Sequence, residues 1–334
     1  MIAKHRTIPI RIQKNDVLLR RLPKNHNVRS EIEKDQAKRW AGHRGESSLD
    51  FHLGKLPEKE YIILHGIRLT NRQFFFQIDT LILSKKFALI LEVKNLIGKI
   101  YFDPQFNQMI QTTPYGEEKG YSNPIEQASQ QARELQKWLT KRGFHLPVDY
   151  FVVFSKPSTI LQSTSGNNQI HQKVIHAQYL VSKTEKLGMT FKENYLEYKV
   201  LKKISKNILK EHTPETFDIL NFYKISKNEI IKGVLCPVCI SEPMTRRDGV
   251  WICKACRIKS SDAHIKTITD LFLLNNGEPI TNMEFREFLQ LSSPHISRRL
   301  LESLNLPQTG TNKGRRYHPP PNYQNMTDLN FQQY

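Results

Sequence analysis

The run Phe87-Ala88-Leu89-Ile90-Leu91 carries no polar residue. Successive side chains of a strand point to opposite faces. A strand of this kind is apolar on both faces, and both must be covered. Tyr150-Phe151-Val152-Val153-Phe154 repeats the pattern. Two such strands demand a sheet held between helices. Further strands are expected in "YIILHGIRL", "QFFFQIDTLILS" and "GKIYFD", rich in β-branched and aromatic residues. One helix is expected in "RSEIEKDQAKRWAGHRGESSLDFHLGKL", with Ser30 as N-cap and Glu31 and Glu33 in its first turn. A second follows Asn123-Pro124 in "IEQASQQARELQKWLTKRG", with Gly143 as its C-terminal cap. "KVIHAQYLVSKTEKL" reads as a strand leading into a helix. Residues 1–222 thus read as one mixed α/β domain, opening on a basic arm with 12 Lys and Arg against 4 Asp and Glu in residues 1–44.

The apolar run ends in Glu92-Val93-Lys94. Residues i and i+2 share a face, so Glu92 and Lys94 point the same way and Val93 the other. Ser84-Lys85-Lys86 is the polar break before the run and is expected to turn a hairpin. A symmetric turn pairs residues whose numbers sum to 171, which sets Asp79 opposite Glu92. Facing carboxylates repel, and burial pushes one of them toward neutrality. A divalent cation reverses that sign, and Mg²⁺ suits one or two carboxylates completed by water and phosphate. Lys94 beside it could serve the attacking water or the developing charge on phosphate. The plainer reading is an edge strand with a solvated Glu and Lys.

All four cysteines lie in "CPVC", 236–239, and "CKAC", 253–256, thirteen residues apart. Each pair turns two thiolates toward one point, and two pairs complete a tetrahedral Cys₄ site, with Cys236, Cys239, Cys253 and Cys256 as ligands. Four protein ligands leave no open position, so a structural Zn²⁺ is expected. Residues 232–259 resemble a zinc ribbon, with a turn at Arg247-Asp248-Gly249, Trp251 packed nearby and exposed Arg246, Arg247, Lys254, Arg257 and Lys259. Residues 264–322 read as two helices broken at Leu291-Ser292-Ser293, capped by Thr281 with Glu284 and by Ser293 with Pro294. A basic, glycine-bearing stretch follows. The pattern resembles a helix-turn-helix with a wing. It would turn His295, Ser297, Arg298 and Arg299, with Lys313, Arg315 and Arg316 on the wing, toward DNA. A small helical cap on the ribbon is the alternative. The tail, 323–334, is polar and reads as disordered.

The net charge of +18 points to a polyanionic partner. No apolar run reaches the roughly 18 residues of a membrane span, and the first residues lack the apolar core of a signal peptide. The expected location is cytoplasmic, where thiols stay reduced and disulfides are not expected.

"QIDTLIL" followed by "LEVKN" is similar to the nuclease-related domain (NERD) family, a branch of the PD-(D/E)xK nuclease superfamily. "RGE" matches its Gly-Glu in the first helix at Gly45 and Glu46, and Asn123, Pro124 and Gln127 match its Asn-Pro and glutamine. The similarity spans about residues 40–160. The superfamily's proline is replaced by Ile78. The resemblance implies a restriction-endonuclease-like mixed sheet flanked by helices. It implies metal binding by Asp79 and Glu92, with help from the Val93 carbonyl, and assistance to the attacking water by Lys94. Glu46 would be a further metal or water ligand, and Gln127 would meet the metal's water or a DNA phosphate. The expected function is Mg²⁺- or Mn²⁺-dependent endonuclease cleavage of DNA, in a chain that could act as a homodimer. A catalytically silent nuclease fold that binds DNA is the alternative. A membrane-associated or protein-binding adaptor is favoured only by charge and by the unassigned basic arm.

Overall fold

The computed structural model describes residues 1–71, 74–163, 168–320 and 323. To residue 215 the elements are β1 (Ile2–Lys4), α1 (Ile10–Arg21), α2 (Arg29–Ser48), α3 (Asp50–Leu53), β2 (Ile62–Asn71), β3 (Phe74–Leu83), β4 (Ala88–Lys94), β5 (Lys99–Asp103), β6 (Gln108–Thr112), β7 (Glu118–Ser122), α4 (Pro124–Lys141), β8 (Val148–Phe154), β9 (Ile160–Ser163), α5 (Asn168–Lys173), β10 (Val174–His176), α6 (Leu180–Thr190) and α7 (Tyr198–Glu211). Then come α8 (Ile219–Phe222), β11 (Thr245–Arg247), β12 (Val250–Ile252), β13 (Lys259–Ser260), α9 (His264–Leu274), α10 (Asn282–Leu289), α11 (Pro294–Ser303), β14 (Gln308–Thr309) and β15 (Arg316–Tyr317). The chain forms two compact units, Met1–Thr7 with Trp40–Glu215 and Ile8–Arg39 with Thr216–Tyr334.

The first unit is the expected sandwich. Its main sheet has the order β1-β2-β3-β4-β8-β10. β2, β3 and β4 run antiparallel, while β4-β8-β10 and β1-β2 are parallel. The β3–β4 ladder pairs Thr80 with Leu91 and Leu83 with Ala88, the expected register. Ala88 and Ile90 face Leu135 and Trp138 of α4 and Leu201 and Ile204 of α7. Leu89 and Leu91 face Leu49, Leu53 and Leu180 on the other side. Each fully buried Leu contributes roughly 1.5–3 kcal/mol. A one-residue slip would swap the two faces of the whole strand, so packing fixes where Glu92 and Lys94 emerge. A second sheet, β7-β6-β5-β9, follows β4; of its strands only β5 was anticipated from sequence.

α4 begins as expected, with Asn123 Oδ1 accepting the Ile125 N–H and Pro124 at the first helical position. Past its end, Gly143 adopts φ +73°, a conformation that glycine enters at little cost. α2 begins one residue before Ser30, so Ser30 lies inside the first turn rather than capping it.

In the second unit, the stretch expected as a basic arm is largely helical. Ile10, Val17, Leu18 and Leu22 are buried at helical spacing in a core shared with α9, α10 and α11. Its charges are partly internal. Arg21 is fully buried. It donates to Asp270 at 2.6 Å and to the carbonyls of Ile231 and Gly233, and lies over the Phe288 ring. Arg20 pairs with the same carboxylate. Losing one partner of a buried pair leaves an uncompensated charge, at a cost of about 3–5 kcal/mol. Asp270→Ala is therefore expected to lower the melting temperature of this unit by on the order of 10 °C. Calorimetry checks it, and an unshifted transition would mean that the pair is dispensable.

β11, β12 and β13 form an antiparallel sheet. Arg247 pairs with Val250 across Asp248 and Gly249, whose φ values of +48° and +85° mark the two-residue turn favoured in hairpins. α9, α10, α11 and the β14–β15 hairpin follow in that order. Thr281 with Glu284 and Ser293 with Pro294 cap α10 and α11 as expected. The tail, 323–334, lies outside the described residues apart from Tyr323, as do 321–322. Among the described residues, no helix is long and apolar enough to cross a membrane.

Candidate functional site

Four elements of the first unit bring the expected residues together. β4 ends in Glu92 and Lys94, and the Lys94 Nζ lies 2.6 Å from Glu92 Oε1. The same Nζ donates to Gln127 Oε1 on α4 at 3.2 Å. One helical turn on, Gln131 Nε2 donates to Glu92 Oε2 at 2.9 Å. Both oxygens of buried Glu92 are thus engaged. Gln131 was passed over in the sequence as one glutamine among several. Its spacing of four from Gln127 was the available signal.

The β3–β4 pairing ends at Thr80 and Leu91, so the expected cross-strand pair of Asp79 with Glu92 is not formed. Instead Asp79 Oδ2 accepts the Val93 N–H at 3.1 Å. Burial pushes the Asp79 pKa well above the usual carboxylate range. The charges of Glu92 and Glu46 add to the effect, and the Val93 hydrogen bond opposes it. Glu46 comes from α2, beside Gly45. A Cβ at Gly45 would lie 2.4 Å from the Asn95 Cβ, so only glycine lets α2 approach the end of β4 this closely. Burial also raises the pKa of Glu46, against the opposing charge of Arg6 and with Glu92 and Asp50 adding to the rise. Arg6 Nη1 donates to Glu46 Oε2 at 2.8 Å. Arg6 was not anticipated as part of this site.

These are oxygen donors pressed together against their own repulsion, an arrangement that a divalent cation relieves. They do not form a closed shell of three: among the described residues, the group of three or more such ligands drawn within 4.8 Å of one another is that of the cysteines. Two carboxylates suffice for Mg²⁺, which keeps several waters, and Asp79 and Glu92 fit that donor set.

In the second unit, the Sγ atoms of Cys236, Cys239, Cys253 and Cys256 all lie within 4.8 Å of one another. The closest pairs are Cys239 with Cys253 at 3.5 Å and Cys236 with Cys256 at 3.6 Å. A disulfide needs about 2.05 Å, whereas a tetrahedral zinc at about 2.3 Å from each sulfur sets them about 3.8 Å apart. The two CxxC turns are alike. Ile240 N–H reaches the Cys236 carbonyl, Arg257 N–H reaches that of Cys253, and Ile240 and Arg257 both have positive φ. A hydrogen bond from Ser241 lowers the Cys239 pKa to about 6, favouring the thiolate that a metal requires, whereas, against the lowering effect of the Ile258 N–H, desolvation and the neighbouring cysteines push that of Cys256 up to about 12.

On α11, His295, Arg298 and Arg299 are exposed, as are Lys313 and Arg316 by the hairpin, while Arg315 is partly covered. Ser297 departs from expectation: it is fully buried and its Oγ donates to the Asn282 carbonyl, because its position on α11 faces α10. Arg298 pairs with Glu302 at 2.7 Å, and Arg315 lies 4.0 Å from the same carboxylate. No such partner is found for Arg299, Lys313 or Arg316 among the described residues.

No curated protein matches the chain significantly, and neither does any solved structure. Residues 41–155, which hold Glu46, Asp79, Glu92, Lys94 and Gln127, match the family model of the nuclease-related domain.

Proposed function

We propose that the chain is a metal-dependent endonuclease that hydrolyses DNA phosphodiester bonds. The observation that carries this reading is the contact of Lys94 with Glu92 and Gln127, beside Asp79, inside a nuclease-related domain. Asp79 and Glu92 would hold Mg²⁺ or Mn²⁺, with Glu46 reaching it directly or through water. When bound, such an ion supplies Lewis-acid activation of phosphate and water. Lys94 and Gln127 orient the attacking water. Its oxygen forms the new bond to phosphorus and gives up a proton to solvent, the bond to the leaving deoxyribose oxygen breaks, and that oxygen takes a proton from solvent. Incubation with supercoiled, linear and single-stranded DNA, with Mg²⁺, Mn²⁺ or chelator, tests this. Metal-dependent cleavage is expected. No cleavage of any form with either metal would overturn it.

Two observations favour the second reading, a silent nuclease fold that binds DNA. Both Glu92 oxygens are engaged by protein donors, and no trio of carboxylates converges among the described residues. The same assay separates the two readings, since a silent fold binds DNA without cutting it.

The four cysteines would hold one structural Zn²⁺, and the winged-helix-like module, 264–322, would supply DNA affinity. Each phosphate that is deprived of its cationic partner flattens the dependence of log affinity on log salt by up to roughly 0.9. Replacing Arg299, Lys313 and Arg316 together is expected to reduce the slope by about 2–3. Arg298→Ala is expected to change it less, because Glu302 already offsets that charge. Titration of labelled duplex at several salt concentrations checks this, and an unchanged slope would place the DNA surface elsewhere.

A further inference from the structure

Arg6 lies outside the stretch that matches the nuclease-related domain, yet it belongs to the same compact unit. β1 brings it in by pairing in parallel with β2, and Lys4 Nζ fastens the strand to the His65 carbonyl at 2.8 Å. The Arg6 side chain is only 7% exposed. Its Nη1 donates to Glu46 Oε2 at 2.8 Å. Its Nη2 donates to Asp50 Oδ1 at 3.2 Å, His65 Nδ1 at 2.9 Å and Thr80 Oγ1 at 3.1 Å. Arginine has no acceptor, so His65 Nδ1 receives this bond as the unprotonated nitrogen. The guanidinium is thereby fixed in its plane by β2, β3 and α3, and one arm is left for Glu46. Arg6 Nε is buried without a partner.

We infer that Arg6 is a positioning residue of the candidate active site, holding one oxygen of Glu46 so that the other is presented to a divalent cation. The inference rests on the reading of Asp79, Glu92 and Glu46 as a metal site. A counter-ion role would need only a nearby positive charge. The rigid fork with four acceptors is the geometry of orientation, which a lysine could not reproduce. Arg6 carries two opposed effects on metal affinity. Its charge repels a cation wherever Glu46 points, and its hydrogen bond aligns Glu46. The two effects separate when Glu46 is changed.

The test is a double-mutant cycle on Mn²⁺ affinity, measured by electron paramagnetic resonance on zinc-replete protein. Arg6→Ala is expected to weaken Mn²⁺ binding at least threefold. In the Glu46→Gln background, the same change is expected to leave affinity unaltered or to tighten it, since only repulsion remains. Guanidinium added to Arg6→Ala is expected to restore affinity, and to do nothing for Glu46→Gln. If Arg6→Ala does not fold, Arg6→Gln takes its place in the cycle. Equal effects in both backgrounds, or tightening in both, would reduce Arg6 to a counter-ion and overturn the inference. So would Mn²⁺ binding indifferent to Glu46→Gln, or no Mn²⁺ binding by the unmodified protein. Mn²⁺ binding without DNA cleavage sinks the endonuclease reading alone and leaves the cycle readable.

Discussion

Lys94→Ala is expected to lower metal-dependent DNA cleavage by about 10²- to 10³-fold, the usual worth of one positioned hydrogen-bond donor. It should leave Mn²⁺ affinity intact or improved. The Lys94 ammonium is not a ligand, and it occupies Glu92 Oε1 at 2.6 Å. Asp79→Ala and Glu92→Ala are expected to abolish cleavage and weaken Mn²⁺ binding together, because they remove donors. The signature is thus a split, with the lysine change altering rate and the acid changes altering rate and affinity. Asp79→Asn adds a stability readout in metal-free buffer. Burial is the main reason that the Asp79 pKa is raised in the fold, so its ionised form destabilises the native state. The uncharged amide should raise the melting temperature at neutral pH. That advantage should shrink as the pH falls below the raised pKa and vanish only near the ordinary carboxylate range, where Asp79 is protonated in the unfolded chain as well. Wild-type cleavage rates in Lys94→Ala would remove the lysine from the mechanism.

Much of the first unit was legible because burial leaves a two-sided mark on a strand. Phe87 to Leu91 could be satisfied only inside a sandwich, and the short polar break at Ser84 to Lys86 left one symmetric register. That register holds as far as Thr80 and Leu91, and Asp79, one residue beyond, accepts the Val93 N–H instead of pairing with Glu92. What escaped was contact that leaves no periodic trace. Arg6 is one of several polar residues around the end of a three-residue strand, and its importance comes from partners 40 to 74 positions away in sequence. Gln131 was hidden among similar glutamines. α1 was misleading in another way. Its basic residues suggested a surface arm, but Arg21 and Lys14 are buried and matched to internal acceptors in the second unit. Net charge counts residues without distinguishing charges used inside from those left outside. Ser297 shows the same limit on a smaller scale, since a helix of mixed composition presents some of its polar residues inward.

Zinc removal is expected to have the second large effect, confined to one unit. Structural zinc supplies about 10–16 kcal/mol of apparent binding free energy to small Cys-rich modules. β11, β12 and β13 have three, three and two residues, too few to hold a sheet unaided. Cys236 and Cys253 are also buried, in one core with Met244, Trp251 and residues of α9, α10 and α11. Loss of the ion should therefore loosen the helices that follow as well as the ribbon. The cores on the two faces of the first unit's main sheet share no residue with that cluster. Elemental analysis is expected to find one zinc per chain. After chelation, or in Cys236→Ser, amide exchange should accelerate in β11–β13 and α9–α11 while β2, β3 and β4 stay protected. Protection lost equally in both units would show that the metal supports the whole chain, and unchanged exchange in Cys236→Ser would show that the cysteines hold no structural ion.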